Sequence, residues 1–584
     1  MAFQDLFSPL LASPTRIPSL SSPKTPPTTG IYKADRCVAG NVVTHDPTLT
    51  RRSANYLPSV WDYDFVQSLS TDYTDEKYMR QAERLKGDVK HLINGVMDPL
   101  ARLELIDAIQ RLGLKYHFEM EIKNALENVY KNSNDAWLHH DLYATALRFR
   151  LLRQHGFDVP QDVFERFKET GKFKTLLCED VKGLLSLYEA SFFGLEGETT
   201  MDEAKAFTTT HLKDLKGNIS ASLSRKVDHS LDMPVHWRLT RVEARWFIDT
   251  YEQEPDMIPT LLELAKLDYN IVQSIHRSEV SKLARWWVDL GLDKMTFARD
   301  RLVEHYFWCL GLLSEPRFGH CREMATKITC LITTIDDIYD VYGSLEEVEL
   351  LTDFIDRWDI NGIDQLPHLI KTCLLAMYNS SNEIGYWTMK ERGFNIIPYL
   401  SKAWADLCKA YLKEARWYHA GCKPTLEEYL ENALVSVAGP AILLSFYFLT
   451  TDEITKEALD YIGKLPSIMR CSSMVLRLAN DLGTSSDELA RGDNLKAVQC
   501  YMNETGASEE VARQHVNFLI QETWKTMNKD VFKDYPFSEP FLSSIPNMAR
   551  TAQCFYQYGD GHGVPDRSTK DHLMSLLVHP VPLN

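Results

Sequence analysis

DPLARLELIDAIQRLGL, residues 98–114, decides the fold class. Its apolar residues recur at spacings of three and four, the period of one face of an α-helix. EEVELLTDFIDRW, residues 346–358, repeats that rhythm, and from residue 75 onward the pattern is helical almost everywhere. Alternating strand runs, glycine-rich phosphate loops and internal repeats of about 20 to 50 residues are absent. Breakers cluster in EQEPDMIP, residues 252–259. The expectation is an all-α chain of two helical domains, 51–258 and 259–584.

Composition narrows the function classes. The chain has 584 residues, 44% of them apolar and 25% charged, enough to bury one or two large cores. A net charge of −17 argues against nucleic acid or an anionic membrane as the main partner. The 11 cysteines stand singly between Cys37 and Cys554 with no CxxC pair, so neither a disulfide framework nor a zinc site is expected. ALVSVAGPAILLSFYFLT, residues 433–450, is uncharged and reaches the length of about 18 residues that can span a membrane. Gly439-Pro440 breaks it in the middle, which predicts a kinked core helix and no membrane span.

The first 50 residues differ from the rest. SPLLASPTRIPSLSSPKTPPTTG, residues 8–30, is rich in Ser, Thr and Pro, has no acidic residue and lacks a continuous apolar core. This suits an organellar transit peptide rather than a secretory signal. A tail with no targeting role is the other reading. Arg51-Arg52 closes the leader, and an amphipathic, aromatic-bearing pattern follows.

Chemistry enters at LITTIDDIYD, residues 331–340. At about 100° per residue, Ile328, Leu331, Ile332, Ile335 and Tyr339 gather on one side of a helix. Asp336, Asp337 and Asp340 fan out on another, with Asp336 and Asp340 one turn apart. Unpaired buried carboxylates are costly, so something positive must meet them. A hard divalent cation accepts such oxygens. In MVLRLANDLGTSSDELARGD, residues 474–493, Asn480, Thr484 and Glu488 form a second oxygen-bearing stripe at i, i+4 and i+8. Val475, Leu478, Leu482 and Leu489 are placed roughly opposite. Arg299, Arg301, Arg477 and Lys496 supply candidate phosphate cations. Surface pairing with Asp300, Glu304 or Asp481 is the alternative use of those cations.

These stretches together resemble plant class I terpene synthases of the angiosperm monoterpene type. DDIYD at 336–340 resembles the family's DDxxD motif, and NDLGTSSDE at 480–488 its (N/D)Dxx(S/T)xxxE motif. Arg299-Asp300-Arg301 resembles RxR, and Arg51-Arg52 with Trp61 resembles RR(x)8W. RGDNLKAVQCYM at 491–502 and YQYGDGHG at 556–563 are similar to further family segments. The likeness runs from about Arg51 to the C-terminus.

The resemblance implies a class I terpenoid synthase bundle behind a relic N-terminal helical domain. It implies ionisation of geranyl diphosphate, isomerisation and cyclisation to a monoterpene, with release of diphosphate. Asp336, Asp340, Asn480, Thr484 and Glu488 would hold Mg²⁺ or Mn²⁺, three ions per site, with Asp337 orienting from behind. Arg299, Arg301, Arg477 and Lys496 would hold the diphosphate. Trp308, Tyr556 and Tyr339 are the implied aromatic faces, and the break from Ser436 to Pro440 resembles the family's pocket helix. Arg51 and Arg52 resemble the pair that supports isomerisation; a processing signal is their other reading. A plastid-stromal monomer is expected.

Four alternatives are weighed, one of them a diterpene synthase, which is usually longer by a further helical domain. A chain-elongating prenyltransferase would carry two DDxxD motifs, whereas the second motif here is NDxxTxxxE. A sesquiterpene synthase acting on farnesyl diphosphate lacks support from the plastid-like leader. An inactive helical scaffold would not need intact metal motifs.

Overall fold

The computed structural model describes residues 51–69, 72–131, 141–215, 219–561 and 567–583, with backbone alone for 487–491 and 567–569. The expected leader, residues 1–50, lies outside the described residues. The chain divides into two compact units, Met1–Arg52 and Ser53–Asn584. Arg51 and Arg52, the described part of the first unit, lie in neither helix nor strand.

Among the described residues of Ser53–Asn584 the regular structure is helical, apart from a two-stranded ribbon pairing Lys168–Glu169 with Lys172–Phe173. Local signals account for the helices. The decisive stretch folds as Pro99–Arg111, where Asp98 caps the start by accepting the Ala101 N–H at 2.8 Å. Gly113, at φ +75°, turns the chain out after it. Leu103, Ile106 and Ile109 are buried along one stripe. In Leu345–Arg357, Ser344 and Glu347 cap each other's backbone N–H reciprocally, a device contributing about 1 kcal/mol.

The expected boundary at 258/259 falls at the start of the 31-residue helix Pro259–Asp289. On one side this helix packs against Tyr63–Gln67 and Glu76–Gly95. On the other it meets Leu302–Leu312 and Gly319–Asp337. The N-terminal half has its own apolar cluster of Leu184, Tyr188, Phe192, Leu212 and Val227. In the C-terminal half, Ser467–Arg491 packs against Leu426–Ser436, Gly439–Thr450, Glu509–Asp530 and Phe541–Phe555.

The apolar stretch around Ser436 is a broken core element. Leu426–Ser436 ends, Ala438 takes a left-handed conformation at φ +63°, and Gly439–Thr450 resumes. Leu426–Thr450 has the length and apolarity of a membrane span, yet 72% of its most apolar window is buried inside the protein. Gly439 is required here by contact. A Cβ on it would lie 2.8 Å from Ser473 Cβ and 3.2 Å from Ser473 Cα on the neighbouring helix.

Candidate active site

Segments of six helices line a partly open cavity of about 130 Å³. Gly319–Asp337 forms one wall, presenting Thr329, Ile332, Thr333 and Asp336 at successive turns. The helix then widens so that the Gly343 N–H bonds five residues back to the Ile338 oxygen at 2.8 Å. Asp340 sits in this wider turn and also lines the cavity. Ile332 was expected on the core side; it shares the face of Asp336, because a spacing of four keeps two residues on one stripe.

Arg299 governs the aspartates. Its backbone N–H and Nε donate to Asp337 at 2.8 and 2.9 Å, and its Nη2 reaches Asp336 at 2.7 Å. Asp337 is fully buried and outside the cavity lining. Asp336 and Asp340 face the space instead. Burial pushes Asp336 up to about 6, against the opposing pull of Arg299. Burial and the Asp336 charge hold Asp340 well above the usual carboxylate range. Lys496, 6% exposed, lines the same cavity and favours the charged form of both.

The opposite wall comes from Ser467–Arg491. Leu476, Arg477 and Asn480 line the cavity, and Arg477 contacts the Asn480 amide oxygen. Arg477 also pairs with Asp481 at 2.7 Å. Fully buried Asp481 accepts the Tyr429 hydroxyl at 2.9 Å and the Ala497 N–H at 3.0 Å, locking three helices together. One turn beyond Asn480, the Thr484 hydroxyl is buried with no hydrogen-bond partner among the described residues. The Glu488 side chain lies outside the described residues.

Aromatic residues form the rest of the lining. Trp308 faces the cavity, with its ring 5.9 Å from that of Phe555. Tyr556 follows the helix Phe541–Phe555 and hydrogen-bonds Asn480. Tyr339 departs from expectation. Its hydroxyl pairs with Thr352 at 2.7 Å and it is absent from the lining, since the face carrying Asp336 and Asp340 turns it outward. Tyr411 lines the cavity instead, its ring 5.5 Å from Tyr339. Arg301 departs too. It is 1% exposed and donates to the Asp300 and Leu57 carbonyls at 2.8 Å each, away from the lining.

Several lining residues escaped the sequence reading: Tyr56, His305, Tyr411, Glu414 and Asp493. Glu414, 4% exposed, accepts the Asn432 amide at 2.9 Å and the Ser436 hydroxyl, tying the broken helix to the carboxylate cluster. No motif spacing announces it. Burial brings His305 down to about 3, so its imidazole is neutral. Asp493 lies within the quoted segment 491–502 and could have been singled out there.

The donor set fits a hard divalent cation. Two half-buried carboxylates face one space with protonation favoured by desolvation and mutual repulsion, and a buried hydroxyl stands on the facing helix. A charged rim of Arg299, Lys496 and Arg477 borders a lining of aromatic rings.

Comparison with known proteins agrees with this architecture. Residues 60–231 match the family "Terpene synthase, N-terminal domain" and residues 288–526 match "Terpene synthase family, metal binding domain". A chloroplastic myrcene synthase from Quercus ilex is 54% identical over 94% of this chain and 93% of its own length. A β-bisabolene synthase from Santalum austrocaledonicum is also 54% identical, over 96% of this chain and 99% of its own. A limonene synthase solved with 2-fluorolinalyl diphosphate superposes with a TM-score of 0.89 at 46% identity, covering 91% of this chain and all of that one. An isoprene synthase from grey poplar was solved with three Mg²⁺ ions and dimethylallyl-S-thiolodiphosphate. It gives a TM-score of 0.83 at 44% identity, covering 90% of this chain and 99% of that one.

Proposed function

The chain belongs to the terpene synthase family, and on that premise we propose that it ionises geranyl diphosphate and converts it to a monoterpene, releasing diphosphate. The observation that carries the reading is the facing of Asp336 and Asp340 with Arg299, Arg477 and Lys496 across one cavity also lined by aromatic rings.

Asp336, Asp340, Asn480, Thr484 and, by its place in the sequence, Glu488 would hold Mg²⁺ or Mn²⁺, with three ions as in the poplar enzyme. Bound ions would neutralise charge on the departing diphosphate oxygens. Arg299, Arg477 and Lys496 bind and orient that diphosphate through charge-assisted hydrogen bonds. Asp337 holds Arg299 in place from behind. Trp308, Tyr411 and Tyr556 present ring faces to the allylic cation, each contact contributing on the order of 2 kcal/mol when desolvated.

The broken helix supports the same chemistry. Ser436, Val437 and Ala438 line the cavity where the helix is interrupted, and Pro440 has no N–H to offer the Ser436 carbonyl four residues back, an oxygen a cation could use. Arg51 and Arg52 are assigned to the isomerisation that precedes ring closure, on their likeness to the family pair. The half 51–258 lacks a DxDD acid motif and braces the catalytic half.

Substrate length is the finer part of the reading. The Ser/Thr/Pro-rich leader suits plastid import, and the Quercus ilex relative is named chloroplastic. Relatives of equal identity are named for a monoterpene and a sesquiterpene, so chain length needs its own test. Gas chromatography of products formed from geranyl diphosphate and from farnesyl diphosphate, each with Mg²⁺ and with chelator, provides it. Volatile C10 products that vanish with chelator are expected. Products from farnesyl diphosphate alone would move the assignment to sesquiterpene synthase.

A further inference from the structure

The segment 299–304 has two destinations. Arg299 points to the aspartates lining the cavity, while Asp300, Arg301 and Glu304 all point to the strap of chain at 56–63. Trp61, 7% exposed, donates its indole N–H to the Glu304 carboxylate at 3.1 Å. The Tyr63 hydroxyl donates to Asp300, whose same oxygen accepts the Trp287 indole at 2.9 Å. Arg301 donates to the Leu57 carbonyl at 2.8 Å. These contacts join residues more than 230 positions apart in the chain.

The strap reaches the site itself. Tyr56 lines the cavity, and the Arg299 guanidinium lies 5.3 Å from the centre of its ring. Leu57, Trp61 and Tyr63 are each fixed to the short segment that begins at Arg299, so displacement of the strap is felt at Tyr56 and Arg299 together. Glu304 is 0% exposed, and leaving its carboxylate without the indole partner is disfavoured, which keeps the contact closed.

We propose that Asp300 and Glu304 are positioning residues: through Tyr63 and Trp61 they clamp the strap so that Tyr56 and Arg299 meet at the cavity lining. The clamp thereby sets how well water is kept from the reacting cation. The effect on products rests on the function proposed above; the clamp itself does not.

Hydrogen exchange of the full chain, read by mass spectrometry, tests the clamp without reference to activity. Trp61→Phe with Tyr63→Phe removes the two donors while keeping an aromatic ring at each position. Exchange across residues 54–69 should quicken by at least about tenfold, well beyond any change in the rest of the chain. Glu304→Gln keeps an acceptor for the indole and should retain slow exchange, whereas Glu304→Leu should not. With geranyl diphosphate, the double variant should raise the share of acyclic and water-captured products by about threefold or more. Total diphosphate release should fall less than the product ratio shifts. Unchanged exchange in the double variant would overturn the clamp, even in a fully active enzyme. Faster exchange with an unaltered product ratio would overturn its positioning role. A wild-type chain that releases no diphosphate would instead count against the proposed function, leaving the exchange result to decide the clamp.

Discussion

Arg299 is tied to Asp337 by two different donors, its backbone N–H at 2.8 Å and its Nε at 2.9 Å, while its remaining edge reaches Asp336 at 2.7 Å. Adjacent aspartates thus have unlike surroundings. The Asp337 side chain is 0% exposed and that of Asp336 is 26% exposed. Asp336→Ala should therefore abolish nearly all turnover and leave the melting temperature within a few degrees of wild type. Asp337→Ala should lose turnover and stability together, by about 3–5 kcal/mol, since one partner of a buried ion pair is removed. Circular dichroism melts beside diphosphate-release assays separate the two; equal melting of both variants would contradict the division of labour.

Truncation addresses the arginine pair. A chain beginning at Arg51 should be soluble and produce the wild-type product ratio. One beginning at Asn55 should still ionise geranyl diphosphate but lose cyclic products. Product profiles of the two by gas chromatography decide the matter, and identical ratios would remove Arg51 and Arg52 from cyclisation.

Glu304 makes stability depend on pH. Burial pushes its carboxyl from 4.5 up to about 7, opposed by Arg301 and the Trp61 indole and aided by Asp300. His305 and Cys330 also lie close by, the first neutral and the second with its thiol raised by burial. Below about pH 4.5 the group is protonated in both folded and unfolded chains. Between there and about 7 only the unfolded chain releases the proton, so this contribution to stability falls as pH rises. The loss is on the order of 3 kcal/mol across the window. Glu304→Gln cannot titrate. Its melting temperature relative to wild type should rise between pH 4.5 and 7.5, and a constant difference would contradict the assignment.

Close packing at the broken helix gives a further expectation. Gly439→Ala places a Cβ 2.8 Å from Ser473 Cβ, forcing Gly439–Thr450 away from Ser467–Arg491. Overpacking of this kind costs about 1–3 kcal/mol. Because Val437 and Ala438 line the cavity beside this contact, the product ratio should change as well. Gly439→Ala together with Ser473→Gly should recover both melting temperature and products.

Helical class was legible because amphipathic spacing is local, and the two motif helices were legible because their side chains repeat at helical intervals. What the sequence could not convey came from rotation and long-range contact. Ile332 joins the lining although its spacing groups it with the core residues, and Tyr339 stays with those core residues although the resemblance implies an aromatic face there, because Asp336 and Asp340 fix which face of the wall turns inward. Arg301 resembles a phosphate cation by spacing but is taken up by the Leu57 carbonyl, 244 positions away. Tyr411 and Glu414 belong to the site only because Ile397–Ala420 packs against the wide turn at Ile338–Tyr342, a contact no local pattern encodes.

The central claim is that this cavity acts on a ten-carbon diphosphate. Its most direct test is the ratio of kcat/KM for geranyl diphosphate to that for farnesyl diphosphate, measured with the purified chain beginning at Arg51 and saturating Mg²⁺. A pocket that cannot close over a longer chain admits water and loses stabilisation of the cation. The ratio should be at least about tenfold, or ~1.4 kcal/mol of transition-state discrimination. Equal values, or a preference for farnesyl diphosphate, would contradict it.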